Sequence, residues 1–320
     1  MRGLLRMLVV GAATLLAPAA GAQNDPTRPV TIVVPFGAGS ATDTITRVIQ
    51  PALSEALKQS IVVEDRPGAD GAIAATYVAR AAPDGYTLLM ASNSPLSAAP
   101  FLVKNIAYDT VRDFTPIART GSYTLMLVVN PKLPVNSVDE LVAYAKANPG
   151  KLSFASGNTS GIVGGETLKR WAGIDMVHVP YKSTPPALTD VIDGRVSMMF
   201  ADLTTGLPHV QSHAVRALAV TRLKRSTLVP DLPTMDEAGI KGFEMDSWAG
   251  LFGPANMPPS VVAQLNAEMR KVLDAPDIKK KMGIIGFEAF SQTPEELGAF
   301  VKVQLVNWGK MIKNAGLSPD

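Results

Sequence analysis

From residue 30 onward, short β-branched runs alternate with stretches of helical period. Val30-Thr-Ile-Val-Val-Pro35 reads as a strand, and Gly37 to Asp43 as a glycine-rich turn. Apolar residues at positions 45, 48, 49, 52, 53, 56 and 57 then mark one buried face of a helix, which Pro51 should kink by removing a donor from its ladder. Ile61 to Glu64 reads as a second strand, Gly71 to Ala81 as a helix and Tyr86 to Ala91 as a third strand. Strand–helix–strand order implies parallel pairing with right-handed crossovers.

The alternation restarts at Tyr123. The spacing predicts a strand over 123–129 and a helix opened by a capping box at Ser137 to Glu140. Further strands are expected over 152–155, 176–179, 196–201 and 214–220, with a helix over 161–171. Thr221 to Asp246 is rich in turns and reads as a connection. Ser247 to Gly253 reads as a strand, followed by helices starting near Pro258 and at Thr293-Pro-Glu-Glu296. The pattern is that of two α/β lobes.

The first 22 residues are different. Arg2 and Arg6 precede an apolar run from Met7 to Leu16, and Ala20-Gly21-Ala22 is a small-residue cleavage site. A secretory signal peptide over 1–22 is expected, with cleavage before Gln23 and export to the periplasm. The run is shorter than the roughly 20 residues that span a bilayer. The segment holds two arginines and no acid, so the 30 basic and 28 acidic residues of the chain balance once it is removed. Net charge therefore argues neither for an anionic ligand nor, without any basic block, for nucleic acid. Cysteine is absent, which excludes disulfide scaffolds, Fe–S clusters and thiol catalysis.

The chemistry-bearing residues point away from catalysis. The three histidines, His178, His209 and His213, have no Gly-x-Ser-x-Gly elbow to serve. His209 and His213 lack the glutamate of a zincin motif, so no metal is expected. Gly37 and Gly39 mimic part of a dinucleotide fingerprint, but Thr42 occupies the third glycine position and Pro35-Phe36 intervene, so no cofactor is expected. What remains is a set of polar loops at the C-terminal ends of strands. They are Phe36 to Asp43, Ser92-Asn93-Ser94, Ser156 to Ser160, Tyr181 to Thr184, and Ala201-Asp202. Open α/β sheets bind ligands there, and helix starts favour anions. With the family resemblance described next, which implies pocket positions within these loops, the candidate ligand residues are Phe36, Gly39, Ser40, Ala41, Thr42, Asp43, Ser92, Asn93, Ser156, Asn158, Thr159, Ser160, Tyr181, Ser183 and Asp202.

Several stretches resemble one family. Arg28 to Phe36 runs into Asp43 and Arg47, and Val63-Glu-Asp-Arg-Pro-Gly-Ala-Asp-Gly71 follows. Then come Asp84-Gly-Tyr-Thr-Leu88, His178-Val-Pro-Tyr-Lys182 and Ser247-Trp-Ala-Gly-Leu-Phe-Gly-Pro254. In order and spacing they resemble the periplasmic receptors of tripartite tricarboxylate transporters, the Bug family. The resemblance implies a two-lobe, type II periplasmic binding protein fold with crossovers near Gly121–Thr124 and Asp246–Trp248. Residues 23–122 and 247–320 would form one lobe and 123–246 the other. It implies a monomeric, non-enzymatic receptor that holds a carboxylate through backbone amides, hydroxyls and waters and delivers it to membrane subunits of the transporter. Two departures, Ser40 after Gly39 and Ser183 after Lys182, put side chains where the family usually has glycine.

Helix starts near Ser40–Asp43 and Asn158–Gly161, in opposite lobes, favour a dicarboxylate. Phe36 and Tyr181 could sandwich a flat spacer, so aromatic diacids stand beside aliphatic ones. Asp43 is expected to cap its helix or meet Arg47 rather than touch the ligand carboxylate. An exported hydrolase, or a receptor presenting its liganded form to a sensor, are the other readings.

Overall fold

A computed structural model describes residues 28–319. The expected signal peptide lies outside the described residues. In chain order the first elements are β1 (Val30–Val34), α1 (Ala41–Leu57), β2 (Ile61–Asp65), α2 (Ala72–Ala79), β3 (Thr87–Ser92) and β4 (Phe114–Tyr123). Then come β5 (Leu125–Val129), α3 (Val138–Ala147), β6 (Leu152–Ser156), α4 (Thr159–Ala172), β7 (Met176–Pro180), α5 (Thr184–Asp193), β8 (Met198–Asp202), α6 (Leu203–Gln211) and β9 (Arg216–Val220). The chain closes with β10 (Ser247–Pro254), α7 (Pro259–Asp274), α8 (Pro276–Ile284), β11 (Phe287–Ala289) and α9 (Pro294–Asn314).

The strands form two sheets, ordered β11-β4-β10-β3-β1-β2 and β7-β6-β8-β5-β9. β1 pairs in parallel with β2 and β3, and β6 with β7 and β8, as the strand–helix alternation requires. Beyond these units the sheets are mixed. β10 lies antiparallel between β3 and β4, and β5 lies antiparallel between β8 and β9. The strand expected from Tyr123 is two elements: Tyr123 ends β4 in the six-stranded sheet, and Leu125 begins β5 in the five-stranded one. The chain passes between sheets at Thr124 and returns to the six-stranded sheet at Ser247.

Both sheets are covered on both faces, so an interior strand such as β5 is apolar at every position. In β5, Leu125, Leu127 and Val129 face α3 and α4, while Met126 and Val128 face α5 and α6. In β1, Ile32 and Val34 pack with α1 and α7, and Val33 packs with α2 and α9. α1 runs unbroken through Pro51. α9 opens with the full capping box read at Thr293 and Glu296. Its Leu297 and Val301 join the core of the six-stranded sheet, whereas Trp308 and Ile312 join that of the five-stranded sheet. One helix therefore braces both halves. Ser137 caps α3 by accepting the Glu140 amide, but Glu140 reaches back to the Asn136 amide, one residue short of a closed capping box.

Candidate functional site

Helices start where parallel strands end, so α1, α4, α5 and α6 all begin at the cleft between the sheets. There a cavity of about 20 Å³ is lined by Phe36, Ser40, Ala41 and Thr42 from the β1–α1 turn and by Ser92, Asn93 and Ser94 after β3. The other half contributes Asn158, Ser160, Thr184 and Asp202, and the crossovers contribute Tyr123, Leu125 and Ser247. That is room for about one water, so a ligand enters only when the two halves part. No Lys, Arg or His lines this cavity among the described residues.

A helix leaves its first amides without intrahelical acceptors. In α1, the Asp43 amide donates to the Ser40 hydroxyl (3.3 Å) and the Thr44 amide to the Ser40 carbonyl (2.8 Å). The amides of Ala41 and Thr42 are left for the cavity. In α4, the Thr159 amide donates to Ser94 Oγ (3.3 Å) and the Gly161 amide to Asn158 Oδ1 (3.0 Å), leaving that of Ser160. α5 adds only Thr184, because Pro185 and Pro186 have no N–H. Gly157 holds the β6–α4 loop against α5: a Cβ there would lie 2.4 Å from the Ser183 carbonyl carbon and the Thr184 nitrogen.

Hydroxyl and amide side chains join the two halves. Asn93 Nδ2 donates to Ser160 Oγ (3.1 Å), and Ser94 Oγ lies 2.8 Å from Thr159 Oγ1. The Gly37 amide donates to Ser183 Oγ (3.3 Å). Within the six-stranded half, the Ser247 hydroxyl bonds Asn93 Oδ1. Tyr123 donates to Thr42 Oγ1 (3.4 Å).

Nine of the fifteen residues expected from sequence line the cavity: Phe36, Ser40, Ala41, Thr42, Ser92, Asn93, Asn158, Ser160 and Asp202. The other six do not. Asp43 is spent on structure, its Oδ2 accepting the Gly39 amide (2.8 Å) and its Oδ1 the Arg47 guanidinium (2.6 Å), which also fixes Gly39. Ser156 Oγ turns 2.6 Å from His178 Nε2, and that imidazole stacks on Phe154, so this serine–histidine pair stands apart from the cavity. Thr159 and Ser183 serve as the inter-half bonds above. Tyr181 turns to Asp190 Oδ2 (2.5 Å), and burial, then Asp190, pushes its phenol up to about 12. The proposed Phe36–Tyr181 sandwich is therefore not formed. Tyr123 and Leu125 supply apolar wall instead. Ser94, Thr184, Tyr123, Leu125 and Ser247 were missed as site residues. The first two lay in loops already singled out, and Tyr123 and Ser247 lie in the expected crossovers, where any inter-sheet cleft must be lined.

Just outside the cavity, Asp65 stands beside Asp43 and Arg47. Burial and then the Asp43 charge push its carboxyl from 3.8 to about 6. Folding thus favours its protonated form. The contribution to stability is full below about pH 4 and is lost as pH rises through about 6. Asp65→Asn should therefore stabilise the protein at pH 7.5, by about 1 kcal/mol after solvent screening, and have little effect at pH 4. Thermal unfolding at the two pH values checks this; equal shifts at both would contradict it.

The geometry invites comparison with known proteins. Residues 45–317 match the model of the tripartite tricarboxylate transporter family receptor. The chain belongs to this receptor family. Rpa4515 of R. palustris, solved with adipate, is similar at 34% identity and a TM-score of 0.90, covering 93% of this chain and 100% of that one. The periplasmic binding protein BugD is similar at 36% identity and a TM-score of 0.88, covering 92% and 100%. MatC of Rhodopseudomonas palustris, with bound malate, is similar at 32% identity and a TM-score of 0.84, covering 90% and 99%. The receptor thus has the two-lobe fold that its motifs implied.

Proposed function

We propose that this receptor captures an aliphatic dicarboxylate in the periplasm and delivers it to the membrane subunits of a tripartite tricarboxylate-type transporter. The observation carrying this reading is the placement of unengaged helix-start amides in opposite halves of one cavity, Ala41 and Thr42 facing Ser160 and Thr184. Each start carries roughly half a positive charge, and neutral donors suit carboxylates without an arginine clamp. Two relatives were solved with diacids, adipate and malate, which supports the same class here. Aliphatic spacers are favoured over aromatic ones because Tyr181 offers no second stacking face. The bonds between the halves would close around the ligand, with the crossovers at Thr124 and Asp246 as hinges.

Titration calorimetry on matched pairs, each diacid against the monoacid of equal length, tests the reading. A charge-assisted hydrogen bond contributes roughly 1.5–3 kcal/mol, so losing one carboxylate should weaken binding at least about tenfold. Equal affinities within every pair would refute two-ended capture.

A further inference from the structure

We propose that Asp202 selects dicarboxylates bearing a hydrogen-bond donor, a hydroxyl or an ammonium group, on the carbon chain between the two carboxylates. The inference rests on the dicarboxylate reading and sharpens it.

Asp202 is the sole ionisable acid or base among the residues lining the cavity apart from the phenol of Tyr123. It ends β8 and is the N-cap of α6, with only 5% of its surface exposed. Its Oδ1 accepts the Thr205 amide at 2.7 Å. The start of α6 and that bond both favour the ionised carboxylate. Burial is the largest influence and works the other way, so the carboxyl lies above its ordinary value and its charge is held at a cost. No basic side chain of the lining offsets the charge. The nearby phenol of Tyr123 is committed to Thr42, and burial, with a smaller push from the Asp202 charge, raises its pKa, so it stays a neutral wall.

A carboxylate confined this way repels a purely anionic diacid. It is satisfied by a ligand that brings a donor to the acceptor capacity left beside Oδ1. The amides at Ala41–Thr42 and at Ser160 would hold the two ends of the ligand, and Asp202 would read the substituent between them. A pocket built to pair with a donor discriminates strongly against the analogue lacking it, since the buried acceptor is then left unpaired.

The test uses the full mature chain and three series of free acids in calorimetry: succinate, malate and aspartate; glutarate, 2-hydroxyglutarate and glutamate; adipate, 2-hydroxyadipate and 2-aminoadipate. At the chain length that binds, a hydroxy or amino acid should bind at least about tenfold more tightly than the unsubstituted diacid, and the two substituted arms separate hydroxyl from ammonium. Asp202→Asn keeps an oxygen for the Thr205 amide, and asparagine caps helices as well as aspartate does, so melting serves as the check on folding. In that variant the preference should collapse to less than about threefold, because the ligand donor now meets an N–H as readily as an oxygen. An unsubstituted diacid binding as tightly as its substituted partners overturns the inference while leaving two-ended capture intact. So does a preference that survives Asp202→Asn. Binding by none of the nine acids overturns the dicarboxylate reading and this inference with it.

Discussion

Replacing Ala41 with proline is expected to weaken binding of the preferred diacid by roughly ten- to a hundredfold while leaving the fold intact. Ala41 is the first residue of α1, where proline is well accommodated because that amide has no intrahelical acceptor. The preceding Ser40 already has φ −66° and ψ 160°, the extended geometry that a following proline requires. The substitution therefore deletes one N–H from the site and little else. That single loss removes a charge-assisted hydrogen bond of roughly 1.5–3 kcal/mol, which sets the expected range. Ala41→Thr adds bulk but keeps the amide, and should retain most of the affinity. Calorimetry on both variants decides; a proline variant that binds like wild type would remove the α1 amide from the site.

The second large effect falls on stability. Gly165 lies inside α4, where alanine would normally gain about 1 kcal/mol of helix propensity. Here the sign reverses. A Cβ at this position would sit 2.2–2.8 Å from three ring carbons of Phe154, which is fully buried in β6 and stacked on His178. The ring cannot swing away without disturbing the close-packed core around it. Overpacking of this kind costs roughly 1–3 kcal/mol or more, so Gly165→Ala should lower the melting temperature by about 5 °C. Because α4 begins at the cavity, affinity should fall too. The far gentler Gly173→Ala, with no atom within 4 Å of its Cβ, separates packing from backbone strain at φ +62°. A Gly165→Ala protein as stable as wild type would show that α4 can slide on the sheet.

Much of this architecture was legible from periodicity. The helical face of α1, the capping box at Thr293 and the parallel β1–β2–β3 unit followed from local rules that tertiary packing did not override. β4 was not legible. Its sequence Phe-Thr-Pro-Ile-Ala-Arg-Thr-Gly-Ser-Tyr carries Pro116 and Gly121, both of which read as breaks. Gly121 is instead a close approach, with φ +149° and no room for a Cβ beneath the Glu288 carbonyl. The antiparallel place of β10 was hidden for another reason: strand order across a sheet is decided by contacts far apart in sequence.

The site divides in the same way. The residues read at helix starts stand at the cavity, because the turns that open helices have sequence signatures. Residues whose side chains turn away were over-assigned. Asp43, Ser156, Tyr181 and Ser183 stand in the right loops, yet each spends its polar group on Arg47, His178, Asp190 or Gly37. Only the three-dimensional partner list separates a serine that faces a ligand from one that faces a neighbour.

The central claim is that each half of the molecule grips one carboxylate through its own helix-start amides. The most direct measurement is the amide nuclear magnetic resonance spectrum of the isotope-labelled receptor during titration with the tightest diacid. Downfield shifts of the Ala41 and Thr42 amides together with that of Ser160, saturating at a single stoichiometry, are the predicted result. Saturation with only one of the two sets moving would contradict it.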